Sequence, residues 1–170
     1  MTPAHIKRWF AGLASGKTKK KADTLAAHEQ GPPVLLTACG GTETENQAHL
    51  LMARQSPGYI FVKELVADSV ARRAGRIMLD YTKEAVNVRY EIDGVWHNVE
   101  PRDRESGDVM LAVMKKVSAL DMDERRARQE GEFRAKSGSK KYTLQLVSQG
   151  TKSGERAIVE LIPDKSPFSS

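Results

Sequence analysis

Cysteine is nearly absent. Cys39 stands alone in 170 residues, which excludes an internal disulfide and leaves no thiolate cluster for zinc. It is read as a small buried spectator. Histidine is scarce too, and His5, His28, His49 and His97 fall at no metal-like spacing, so no metal site is expected. No apolar run approaches the roughly 18 residues needed to cross a bilayer, and the N-terminus lacks the apolar core of about 7–15 residues that a signal peptide carries. A cytoplasmic protein is the expectation. The hydrophobic share of 39% falls short of the roughly 45–50% of globular chains, a tally that also counts glycine, so a real core with a polar appendage is expected. No Ser/His/Asp or paired-carboxylate arrangement occurs at a readable spacing, and no catalytic residue is assigned.

What is present is positive charge, unevenly placed. The formal net charge is +5. Lys17, Lys19, Lys20 and Lys21 form one cluster, and Arg102, Arg104, Arg125, Arg126 and Arg128 supply much of the rest. Such clusters attract phosphate groups, although most are solvated faces. Ahead of the lysines, Ile6, Trp9, Phe10 and Leu13 make a short apolar stripe with Lys7 and Arg8 on its polar side. This spacing predicts a short amphipathic helix ending by Gly16, suited to a membrane surface or a partner. Ala11 to Thr18 comes within one residue of G-x-x-x-x-G-K-[ST], with alanine at the first position. A phosphate loop needs a strand before it and an apolar helix after it. Neither flanks this stretch, which is read as a Gly/Ser/Lys linker.

Beyond Gly31-Pro32-Pro33, the run Val34 to Cys39 reads as a strand, and His49 to Met52 as part of a short helix. Ser56-Pro57-Gly58 is taken as the main domain boundary. Leu65, Val66, Ser69, Val70 and Arg73 recur at helical spacing, with Gly75 as the expected stop. Residues 77–81 read as a strand. Val86, Val88, Tyr90 and Ile92 alternate as a half-buried strand should. Asp93-Gly94 between alternating runs predicts a hairpin through a type I′ turn, with Val95–Val99 beyond it. Val109, Val113, Met114, Val117, Leu120 and Met122 mark a long helix after Ser106-Gly107, and 127–131 a charged connection. Strands follow at 133–136, 142–147 and 157–162, with a turn at 137–139. The expected fold is therefore α+β, a mixed or antiparallel sheet with helices packed on one face, plus a small N-terminal segment. The divisions are 1–30, basic and partly helical or disordered; 31–57, a small strand–helix segment or linker; 58–165, the α+β domain; and 166–170, a linker.

Several of these pieces carry a resemblance. Ala74-Gly75-Arg76-Ile77-Met78, Val88-Arg89-Tyr90-Glu91-Ile92-Asp93-Gly94, the stretch from Lys116 through Leu120-Asp121, Glu124-Arg125-Arg126 and Gln129-Glu130-Gly131, and Gly154-Glu155-Arg156 follow one another in order. In order and spacing they are similar to A-S-D-I-H, V-R-x-R-I-D-G, K-x-x-A-x-L-D-I-A-E-R-R-x-P-Q-D-G-R and G-E-K of the domain that precedes the motor core in type II secretion and type IV pilus assembly ATPases. The resemblance implies a regulatory or assembly domain of a hexameric ATPase. Its implied partners are the motor core of the same protein, neighbouring subunits and the inner-membrane secretion platform, which places it in the cytoplasm, peripheral to the inner membrane. ATP and Mg²⁺ would belong to the full-length protein, with no cofactor bound by this stretch, and the core would follow 166–170. In the family, arginines of this domain reach a nucleotide on the core, as guanidinium groups suit phosphate. Arg89, Arg125 and Arg126 are the matching arginines. Asp93, Gly94, Gln129, Gly131, Gly154 and Glu155 match structural positions of the motifs.

The departures are specific. Glu91, Glu132 and Gln145 stand where the family has arginine, Arg76 where it has aspartate, and Met78 where it has histidine. Carboxylates at Glu91 and Glu132 would repel a triphosphate. A different class of function, a small basic nucleic-acid-binding or adaptor module, is suggested by the basic clusters. Only Tyr59, Phe61, Tyr81, Tyr90, Trp96, Phe133 and Tyr142 could serve as stacking aromatics there, and no nucleic-acid motif is present, so nucleic acid is not the expected partner.

Overall fold

The computed structural model describes residues 30–164. The N-terminal stripe, the phosphate-loop-like stretch, the lysine cluster and the 166–170 linker all lie outside the described residues. The element order is β1 (Val34–Thr37), α1 (Glu43–Arg54), α2 (Gly58–Ala71), β2 (Arg76–Tyr81), β3 (Ala85–Ile92), β4 (Val95–Asp103), α3 (Arg104–Val117), β5 (Gln129–Ser137), β6 (Lys140–Gly150) and β7 (Glu155–Pro163). The seven strands make one sheet in the order β1-β5-β6-β7-β2-β3-β4. Every pairing is antiparallel. The fold is α+β, with an antiparallel open sheet.

Two meanders build it. β2-β3-β4 and β5-β6-β7 are each hairpin-connected, and they join where β2 pairs with β7 at the centre. The β3–β4 turn is the expected type I′ geometry, with Asp93 at φ 52° and Gly94 at φ 82°. Alternation does the rest. Ile77, Leu79 and Tyr81 of β2, Val86, Val88 and Tyr90 of β3, Phe133 and Ala135 of β5, Leu144 and Leu146 of β6, and Ala157, Val159 and Leu161 of β7 point to one face and are buried. The helices close that face, with Tyr59, Val62, Leu65 and Val66 of α2 and Met110, Leu111, Val113, Met114 and Val117 of α3 inside.

The boundary expected near Ser56-Pro57-Gly58 does not interrupt this core. β1 pairs with β5, and Val34, Leu36 and Ala53 join the same buried cluster. Helix ends also differ from expectation. Arg73, not Gly75, takes the left-handed position after α2, at φ 60°. Ala74 N–H then donates to Ser69 C=O and Arg73 N–H to Val70 C=O, a Schellman closure. The same closure stops α3 at Val117, with Ala119 at φ 58° and Leu120 N–H on Lys115 C=O, so Leu120 and Met122 lie beyond the helix. α3 also begins earlier than expected, capped by Asp103, whose side chain accepts from Ser106 N–H at 2.9 Å. Gly107 is therefore inside the helix, where a Cβ would lie 2.3 Å from Val86 Cγ2. Its carbonyl accepts the buried Tyr81 hydroxyl, seating α3 on the sheet. The charged connection expected over 127–131 is shorter, because β5 already starts at Gln129.

Candidate functional site: a stapled connection beside a buried ion pair

The α3–β5 connection and the start of β7 gather most of the motif positions. Glu124 organises the turn. Its Oε2 accepts from the backbone N–H groups of Arg126 and Ala127, both at 2.9 Å. Those bonds, Ala127's first, hold the Glu124 carboxyl below its usual pKa, because they favour the charged form. Gln129 closes the base: Asp121 N–H donates to its Oε1 at 2.9 Å, and its Nε2 donates to Asp121 C=O at 3.0 Å. Gly131 faces the end of α3, where a Cβ would lie 2.8 Å from Ser118 O.

Under this staple lies a buried ion pair. Lys115 Nζ, on α3, donates to Glu155 Oε2 on β7 at 2.7 Å and to Glu124 C=O at 2.7 Å. Lys115 is 1% exposed and Glu155 2%. One ammonium thus ties helix, connection and central sheet together. Glu155 Oε1 has no hydrogen-bond partner; the next cation is Arg125, Nη1 at 3.8 Å. Gly154, just before, has φ 155° and lies so close to β2 that a Cβ would sit 2.6 Å from Tyr81 O. Glu155 is therefore delivered into the core by a residue that only glycine fits. Lys115 was missed in the sequence. The available signal was a lysine at i+4 from Leu111 and beside Met114, within the otherwise apolar face of the helix.

Arg125 and Arg126 emerge together at the surface of the staple. Arg125 Nη1 lies 3.6 Å from Asp108 Oδ1, and Arg126 Nη1 donates to Thr151 C=O at 3.0 Å on the β6–β7 turn. Arg126 C=O in turn accepts Gly150 N–H. Arg89 is elsewhere, exposed on β3, which β2 separates from the β7 strand that Arg125 touches through Glu155. Two of the three matching arginines are brought together, and the third is not. Asp93 and Gly94 stay at their hairpin.

The departures from the motifs fall on the helix-free face, in two adjacent cross-strand rows. One row reads Trp96, Glu91, Arg76, Glu160, Gln145 and Glu132 across six strands. The three positions without the motif arginine and the one without the aspartate all belong to it. Arg76 and Glu91 are direct partners. Arg76 Nε donates to Glu91 Oε1 at 3.1 Å, and the guanidinium stacks over Trp96 at 5.2 Å. Arginine for aspartate and glutamate for arginine are thus one exchange of charge within one pair. The hydrogen bond from Arg76 lowers the Glu91 pKa. Met78 sits in the neighbouring row between Arg89 and Ile158.

The chain matches the type II/IV secretion system protein family over residues 52–169. It belongs to that family. Among curated relatives it is 22% identical over 149 residues to a type II secretion system protein E of Pseudomonas aeruginosa, covering 88% of this chain and 30% of that protein. It is 29% identical over 126 residues to a type IV pilus assembly ATPase PilB of Myxococcus xanthus, covering 73% and 22%. With the PilB of Thermus thermophilus the identity is 26% over 112 residues, 66% of this chain and 13% of the relative. The chain therefore spans less than a third of the length of these relatives. Among the described residues no helix is long and apolar enough to cross a membrane, and no group of three His, Cys, Asp or Glu side chains could hold a metal ion.

Proposed function

We propose that this domain is a regulatory or assembly part of a hexameric ATPase that powers type II secretion or type IV pilus assembly. It transmits the ATP state of the motor core to neighbouring subunits and to an inner-membrane platform on the cytoplasmic side. The observation that carries the reading is the stapled connection, in which the E-R-R, Q-x-G and G-E positions converge on one ion pair and present Arg125 and Arg126 at its rim. A guanidinium pair on a rigid mount suits a phosphate or carboxylate of an adjoining body. ATP and Mg²⁺ belong to the core in this reading. The helix-free row with Glu91, Glu160 and Glu132 is unsuited to a triphosphate, so nucleotide contact, where it occurs, runs through the staple and not through Arg89's face. A nucleic-acid role has less support, because Tyr59, Tyr81, Tyr90 and Phe133 are buried and cannot stack on bases.

Arg126→Ala in the full-length protein tests this. ATP turnover should fall while the melting temperature stays near that of the parent. Unchanged turnover would assign Arg126 to the Thr151 contact alone.

A further inference from the structure

A groove of about 500 Å³ opens between α2 and the β3–β4 edge. Its floor is apolar, built from Phe61, Leu65, Tyr90 and Val99, and its rim carries the exposed Glu64 and Glu100. Tyr90 is fixed by its hydroxyl, which donates to Asp68 Oδ2 at 2.7 Å. Glu64 and Glu100 make no ion pair or hydrogen bond among the described residues. The lining also holds Asp68, Asp103, Arg72 and Arg102, with Arg72 paired to Asp68, so the groove offers an apolar floor and a lining in which carboxylates outnumber arginines four to two.

The chain itself contains the complement. Residues 1–29 hold Lys7, Arg8, Lys17, Lys19, Lys20 and Lys21 against Asp23 and Glu29, and so carry four of the five surplus positive charges. The same segment holds the apolar stripe Ile6, Trp9, Phe10 and Leu13. Where it joins the fold is also fixed. Gln30 C=O accepts Lys63 Nζ at 2.6 Å, and Gly31 lies against Ile60, both on α2. Ile60 and Lys63 adjoin Phe61 and Glu64 on one helical turn, about 5.4 Å of axis. The 17 residues from Leu13 to Gln30 reach at most about 60 Å when extended, far more than this requires.

We propose that residues 6–21 dock intramolecularly in this groove, the apolar stripe on the Phe61–Val99 floor and the basic side chains against Glu64 and Glu100. Docking removes both the stripe and the lysine cluster from other surfaces. The groove therefore sets when the segment is available to an anionic membrane or a partner.

The chain has two tryptophans, and one, Trp9, is in the segment. In the 170-residue chain carrying Trp96→Phe, Trp9 is the only indole. Its emission should lie to the blue of that from a synthetic peptide of residues 1–21, and acrylamide should quench it several-fold less. Glu64→Lys with Glu100→Lys should return quenching to the peptide value without lowering the melting temperature. Quenching equal to the peptide in the parent, or protection that survives the double charge reversal, overturns the proposal. Protection that rises with protein concentration overturns it in favour of a second copy. Should Trp96→Phe fail to fold, fluorotryptophan NMR of the native sequence gives the same readout, with one resonance for each indole.

Discussion

Replacing Lys115 by methionine isolates the buried ion pair. Methionine keeps the aliphatic stem and nearly the volume, so packing changes little while the charge and three donors vanish. Glu155 Oε2 loses its hydrogen-bond partner and Glu124 C=O the shorter of its two, each held at 2.7 Å in the parent, while the carbonyl keeps Gln129 Nε2 at 3.4 Å. The Glu155 side chain is 3% exposed and cannot recover the loss by hydration. Breaking a buried pair from one side typically costs about 3–5 kcal/mol. For a domain of this size, that corresponds to a fall in melting temperature of roughly 10–20 °C. Urea denaturation followed by far-UV circular dichroism measures it directly. Lys115→Met with Glu155→Leu should recover most of the loss, because replacing the whole pair by apolar groups is often neutral. Arg125 is the only other cation near Glu155 among the described residues, so Lys115→Met with Arg125→Ala should be less stable than Lys115→Met alone. A single-variant loss below about 1 kcal/mol, the range of exposed pairs, would refute the buried-charge reasoning.

Gly107→Ala should destabilise by about 1–3 kcal/mol through overpacking on Val86, despite the better helix propensity of alanine, and Val86→Ala should partly rescue it; a neutral Gly107→Ala in chemical denaturation would show that α3 can lift off the sheet. Arg76→Glu places like charges opposite both Glu91 and Glu160 and should lower the melting temperature, whereas adding Glu91→Arg should recover part of the loss, since Glu160 still stands opposite position 76; equal melting of single and double variants would deny the cross-strand pairing. Glu45, Glu91 and Glu124 are all held below their ordinary value of 4.5, by the Thr42 backbone N–H, by Arg76 and by the Ala127 N–H respectively. A depressed carboxylate stabilises the fold above its unfolded pKa and loses that contribution as pH falls through the folded one. Melting temperature should therefore hold from pH 7 to about 5 and decline below it, and a flat profile down to pH 3 would contradict these bonds.

Legibility followed locality. The β3–β4 hairpin was readable because an Asp-Gly turn and the alternation of Val86, Val88 and Tyr90 are neighbours in sequence. The ends of α2 and α3 were not, since Arg73 and Ala119 take left-handed positions that their side chains do not advertise. Those positions are held instead by Schellman bonds and by packing. β1 looked like part of a separate segment because its partner, β5, is about a hundred residues away. The matching arginines are read from the motifs, yet only the sheet order shows that Arg89 lies apart from Arg125 and Arg126.

By itself the sequence determined the α+β class, the exclusion of a disulfide within these residues, the ordered set of motifs that marks the family, and the concentration of positive charge in residues 1–29. The tertiary structure decided that Lys115 and Glu155, forty residues apart, share one dry site, and that Glu124 and Gln129 exist to staple the connection above it. It also decided that Arg76 and Glu91 are two halves of one charge exchange. The reason is physical: alternation and turn chemistry act between near neighbours and are written in the residue order. Ion pairing and cross-strand contact depend on which strands lie side by side, and that is set by burying one face of the sheet as a whole.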